Sequence, residues 1–228
     1  MKIAVLQTGR SIDETRHIHG DYDDMCKVML GHTPDEMDTF EVLDDRFPDD
    51  MGAYDAYLIT GSRCGVYEDH SWIPPLEDFI RKAYAQDVKL IGVCFGHQII
   101  AQALGGVAAK SDRGFGVGAM GYELVGDDGK MQSISLYAWH QDQVITPPQD
   151  AEVIASSDFC EFAGLRYGDK ALTFQAHPEF TKEYMADLAE ARRGSQISDE
   201  MSDAAMASLE KTVSADVIQE MMLSFLKA

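Results

Sequence analysis

Basic residues are scarce in this chain. Its 228 residues carry 19 lysines and arginines against 39 aspartates and glutamates, a formal charge of −20. That balance argues against a nucleic-acid partner or an anionic-membrane surface, so neither is expected. Cysteine is scarce as well. Cys26, Cys64, Cys94 and Cys160 are scattered without any C-x-x-C spacing. A chain of this size with no visible secretion signal is expected to keep its thiols reduced and to be cytoplasmic. The seven histidines form no H-E-x-x-H and are not grouped with the cysteines, so no metal and no cofactor is expected. The first six residues read as a strand rather than a leader, broken by Gly9-Arg10. Repeats and low-complexity linkers are missing too. One domain over residues 1–228 is the economical reading, at 45% hydrophobic and 25% charged residues.

One long run lacks charge altogether. Residues 90–109 are about as long as a membrane span requires. However, they include His97, Gln98, Gln102 and four glycines. A strand, a tight turn and a short buried helix ending at Gly105-Gly106 account for the run better. Around it, short apolar strands alternate with helical patterns, the mark of a parallel sheet wrapped by helices. Strands are expected at 2–7, 39–43, 57–60 and 89–93. Helices are expected at 21–30 and at 73–86, the latter opened by Pro74-Pro75. From Gly116 the pattern becomes short strands (118–125, 133–138, 152–156, 162–167 and 172–175) with a turn at Gly126-Asp127-Asp128-Gly129. These predict antiparallel structure added to the sheet. Residues 182–193, 199–212 and 215–226 read as C-terminal helices.

The turn inside the uncharged run carries the chemistry. In Gly92-Val93-Cys94-Phe95-Gly96 a strand meets a helix through a cysteine with glycines two residues away on either side. That is the layout of a nucleophile elbow with cysteine in place of serine. The turn needs small neighbours, and it exposes the sulfur at a helix N-terminus, where the dipole favours negative charge. A cysteine nucleophile needs a base, an orienter for that base and donors for an oxyanion. Ala176-His177-Pro178-Glu179 supplies the first two: in an extended segment His177 and Glu179 share a side. Ile59-Thr60-Gly61-Ser62 ends the third predicted strand. There Gly61 or Ser62 N–H, paired with Phe95 N–H, is placed to hold negative charge. Cys64, close by in sequence, is a candidate second thiol at the mouth.

Together these segments resemble the class I glutamine amidotransferases, the family with a Cys-His-Glu triad. Gly92-Val93-Cys94-Phe95-Gly96-His97-Gln98 is similar to the family's nucleophile motif, and Ala176-His177-Pro178-Glu179 to its His-x-Glu motif. Trp139-His140-Gln141-Asp142 resembles its Ser-His-x-Asp segment. Trp139 stands where a small residue is usual, and Ala176 where a bulky aromatic is usual. The resemblance implies a three-layer, flavodoxin-like, mostly parallel α/β sheet with an added antiparallel segment. It implies catalysis by Cys94, His177 and Glu179, an oxyanion hole from Gly61, Ser62 and Phe95, and substrate contacts from Gln98, His140, Gln141 and Asp142. The implied substrate is a small molecule, glutamine or a γ-glutamyl compound, cleaved through a Cys94 thioester. His19-Gly20-Asp21-Tyr22-Asp23-Asp24-Met25 looks like stand-alone members such as γ-glutamyl peptide hydrolases, and Asp21 also reads as a helix N-cap. An ammonia-donating subunit with a synthase partner, and a non-catalytic sensor working through Cys94, are the alternatives.

Overall fold

The computed structural model describes residues 1–33 and 36–228. Five parallel strands form the first part of one sheet: β1 (Ile3–Gln7), β2 (Asp38–Glu41), β3 (Ala56–Ile59), β4 (Lys89–Val93) and β11 (Ala171–Phe174). Their spatial order, β2-β1-β3-β4-β11, is the flavodoxin-like order. β1, β3, β4 and β11 are buried on both faces while the edge strand β2 is partly exposed, so apolar side chains of the inner strands alternate between two cores. Val5, Leu58 and Ile91 point to the layer of α2 (Tyr22–Met29) and α7 (Ala215–Lys227), beside Cys26, Met222 and Phe225. Leu6, Ile59 and Leu90 point to α3 (Ile73–Ala85) and α4 (Phe95–Ala103), beside Leu76, Ile80, Ile99 and Ile100. The three-layer expectation therefore holds.

The expected antiparallel addition is also present. It continues the same sheet through β10 (Gly164–Tyr167), β9 (Glu152–Ser156), β6 (Gly116–Val125) and β7 (Met131–His140), nine strands in all. Two more helices follow β11, α5 (Lys182–Ala191) and α6 (Asp199–Ser208). Gly118, at φ 81°, lets α6 sit directly on β6, and Ser208 Oγ accepts from Ala119 N–H at 2.8 Å. A third apolar cluster joins these additions to the N-terminal region through Ile12, Tyr22, Tyr137, Phe180, Tyr184 and Leu188.

Three elements escape the sequence reading. Helix α1 (Asp13–His19) opens without a side-chain cap and buries little besides Thr15, so its pattern is weak. Strands β5 (Val107–Lys110) and β8 (Asp142–Thr146) pair only with each other, with a register shift at Val107/Ala108. The second strand ends two residues early, because Val42–Asp44 turns into a single 3-10 turn. Among the described residues no helix is long and apolar enough to cross a membrane.

Candidate active site

The carboxyl ends of β1, β3, β4 and β11 converge on Cys94. After β4 the chain turns at φ 52°, ψ −102° at this cysteine, and α4 begins at the next residue. A non-glycine residue held there stores roughly 1–3 kcal/mol of strain, which the neighbours must impose. They do so by close approach. A β-carbon on Gly92 would lie 2.6 Å from the Gly96 carbonyl, and one on Gly96 would lie 2.2 Å from Ile59 O. Cys94 N–H donates to Phe174 O at 2.8 Å and Gly96 N–H to Thr60 O at 3.1 Å. The elbow is thus clamped between β3 and β11.

Beyond β11, His177 N–H donates to Tyr137 O at 2.8 Å, fixing the segment against β7. The imidazole Nδ1 meets Glu179 Oε1 at 2.7 Å, with both residues buried. Phe180 stacks on the ring, centroids 4.1 Å apart and planes 7° from parallel. Burial alone would lower the His177 pKa. The negative charges of Glu179 and then Cys94 outweigh it, and the pKa stands well above the ordinary imidazole value. The ring therefore tends to hold its proton, and Nε2 has no protein hydrogen-bond partner. Gly61 completes the arrangement: a β-carbon there would lie 3.3 Å from His177 Cε1 and 3.8 Å from Cys94 Cβ. The loop backbone thus runs close against His177 and Cys94, and a side chain there would crowd the imidazole. Gly9, after β1, backs that loop, since its β-carbon would reach 2.6 Å from Gly61 O.

A cleft of about 250 Å³ opens over the sulfur. Of the residues expected at the site, Gly61, Ser62, Cys94, Gln98, His140, Gln141, Asp142 and His177 line it. Glu179 lies behind His177. Phe95 turns its ring into the core against Trp72, centroids 5.5 Å apart, leaving only its N–H for the site. That N–H is the first of α4 and has no intrahelical acceptor. Gln98 uses its amide within the protein, donating to Asp142 O at 2.8 Å and Gln175 Oε1 at 3.0 Å. His140 Nδ1 donates to Asp142 O at 3.2 Å, leaving Nε2 as a buried lone pair without a partner. Burial, helped by the nearby His177, lowers the His140 pKa to about 3, so the ring is neutral. Burial raises the Asp142 pKa, against a bond from Tyr67.

Several lining residues were not foreseen. Tyr22 reaches the cleft from the start of α2, where Asp21 caps the helix in a reciprocal box with Asp24. Its neighbour Gly20 sits at φ 82°, where a β-carbon would strike Asp24 at 2.9 Å. Arg192 and Gln196 arrive from the α5–α6 connection, and Arg63 and Lys110 from nearer the elbow. Arg63, Lys110 and Arg192 line the cleft and form no ion pair among the described residues. The expectation that histidine and cysteine stay apart fails at the same rim. Cys64, Glu68 and His70 bring their donor atoms within 4.8 Å of one another. The sequence reading missed them because C-x-x-x-E-x-H matches no common zinc spacing.

Fold and site together define an α/β protein with a buried cysteine on a strained elbow beside a hydrogen-bonded His-Glu pair. The comparisons give the class a family. The model of the class-I glutamine amidotransferases matches residues 38–188. Gamma-glutamyl peptidase 2 of Arabidopsis thaliana is 30% identical over 82% of this chain and 79% of its own length. Gamma-glutamyl peptidase 3 of the same plant is 30% identical over 92% and 90%. The crystal structure of a glutamine amidotransferase from Thermotoga maritima superposes over 100% of this chain and 99% of its own, at TM-score 0.75 and 17% identity. The chain belongs to the class-I glutamine amidotransferase family.

Proposed function

We propose that this protein is a stand-alone hydrolase of γ-glutamyl amide bonds, acting on a γ-glutamyl peptide or amide to give glutamate and an amine. The observation that carries the reading is the His177–Glu179 pair, buried at 2.7 Å beside a cysteine on a strained elbow. Naming of the two Arabidopsis relatives as gamma-glutamyl peptidases supports the substrate class. A cleft walled by residues of α5 and the segment after it supports a site that needs no partner to be shaped.

In the proposed reaction the Cys94 sulfur attacks the γ-carbonyl carbon. The oxyanion that forms is held by Phe95 N–H together with Gly61 or Ser62 N–H. His177 gives its proton to the departing amine, and the C–N bond breaks, leaving a thioester on Cys94. Glu179 keeps the ring oriented and stabilises its charged form. His177, now neutral, takes a proton from water, whose oxygen displaces the thiolate and releases glutamate. Gln98 acts by tethering β8 to the elbow helix, and His140 offers its free Nε2 lone pair to a substrate donor.

The test is glutamate release from glutamine and from a panel of γ-glutamyl peptides, with Cys94→Ala as the blank. Cys94-dependent turnover of a γ-glutamyl peptide that exceeds turnover of glutamine is the expected result. Slow glutamine hydrolysis with no peptide turnover would instead favour an ammonia-donating subunit awaiting a synthase.

A further inference from the structure

We propose that Cys64, Glu68 and His70 form a binding site for one thiophilic divalent cation, with zinc the ion that fits best, at the rim of the catalytic cleft. The donors are one sulfur, one carboxylate oxygen and one imidazole nitrogen, all within 4.8 Å of one another. That mixed set is a zinc-type donor set, and three protein ligands with an open fourth position for water are common for this ion. Ligand atoms around tetrahedral zinc stand about 3.5 Å apart, so closing the site requires only small side-chain movements. Calcium and magnesium are disfavoured, because both seek oxygen donors alone.

The backbone between the three residues is already set. Glu68 N–H donates to Gly65 O at 3.1 Å, His70 N–H to Glu68 O at 3.0 Å, and Ile73 N–H to His70 O at 3.1 Å. A β-carbon at Gly65 would lie 2.7 Å from the Tyr67 ring, so the turn closes tightly under that side chain. His70 Nε2 already meets Glu68 Oε2 at 2.8 Å. The imidazole also stacks on Trp72, centroids 5.7 Å apart and planes 16° from parallel. The two side chains already face one another, and a metal would replace the proton shared between them, that proton moving to Nδ1 or to solvent. The third, Cys64, is half-buried with its N–H donating to Ser62 Oγ at 3.2 Å. Binding converts the thiol to thiolate and passes its proton to solvent, so affinity rises with pH.

The place of the site gives it a consequence. Cys64 and Glu68 line the same cleft as Cys94 and His177. Trp72, under the His70 ring, packs on Phe95, the residue that follows the nucleophile. A bound dication would add positive charge and bulk at the substrate's entrance without touching the triad.

The experiment is zinc titration of the whole protein in reducing, chelator-free buffer, read by competition with a chromophoric chelator. Cys94→Ala is the background, so that the nucleophile cannot compete for metal. Cys26 and Cys160 are fully buried and supply no accessible thiol. One zinc per chain is expected. Cys64→Ser and His70→Ala should each weaken it by at least about tenfold, since loss even of outer partners costs that much. Cobalt in place of zinc should give a sulfur-to-metal charge-transfer band that Cys64→Ser removes. Thermal unfolding of each variant checks that the fold survives. Absence of saturable binding up to about 100 μM zinc, a weak affinity, would overturn the site. So would zinc binding unchanged in folded Cys64→Ser or His70→Ala.

Discussion

Cys94 sits at a backbone angle its own side chain opposes, and the same angle aims its sulfur at the cleft. Stability and activity should therefore part company at this residue. Cys94→Gly is expected to abolish hydrolysis while raising the melting temperature, by an amount matching about 1 kcal/mol of relieved strain. Cys94→Ala should lower kcat by about 10⁴-fold or more. Cys64→Ser should keep the larger share of turnover in metal-free buffer, and comparable losses in both would contradict the assignment of Cys94 as nucleophile. Glu179→Gln removes the charge that most raises His177. The alkaline limb of kcat/KM, which reports loss of the His177 proton, should then move to lower pH. A limb that stays in place would show that another group sets it. The proposed triad was legible in sequence because an elbow dictates its glycines locally, and because two residues of spacing place Glu179 beside His177. Tyr22, Phe180 and Arg192 carry no such local signature, and folding alone brings them to the site.

At the scale of elements, β6 and α6 depend on one bare backbone position. A β-carbon on Gly118 would come within 2.3 Å of Ser208 Oγ and 3.0 Å of Ala205 Cα, at a φ that already disfavours side chains. Gly118→Ala should displace α6 and lower the melting temperature by several degrees. Ser208→Ala, which only removes the bond to Ala119 N–H, should cost about 1 kcal/mol. Equal losses would mean that α6 is held by something other than this contact. The buried strands and the long helices were readable because their apolar period is strong. Pro74 and Pro75 marked the start of α3 in the same way. Strands β5 and β8 were not readable: each is short, exposed at one end or both, and paired only with the other among the described residues. The union of β9, β6 and β7 with the parallel strands was legible as a change of pattern, but not in its spatial order.

For the whole molecule, buried histidines set the response to acid. Burial pushes His97 and His140 down to about 3. Between that value and the ordinary value near 6.5 the unfolded chain binds protons that the folded chain refuses. Stability should therefore fall as pH drops through this window, by about 1.4 kcal/mol per pH unit for each histidine. The sign reverses for His177, whose raised pKa gives stability that is complete below the unfolded value and is lost as pH rises toward the folded one. Urea unfolding at pH 5, 6.5 and 8.5 should show a maximum at the middle value, and His140→Gln should flatten the acid side. The sheet order has a consequence of a different kind. Cys94 and His177 follow the neighbouring strands β4 and β11, yet Phe174, which receives the Cys94 N–H, and His177 come some eighty positions after Cys94. A chain leaving the ribosome thus presents this thiol long before the imidazole proposed to serve it. On the proposed mechanism, hydrolytic activity is expected only once β11 pairs with β4, together with completion of the parallel sheet.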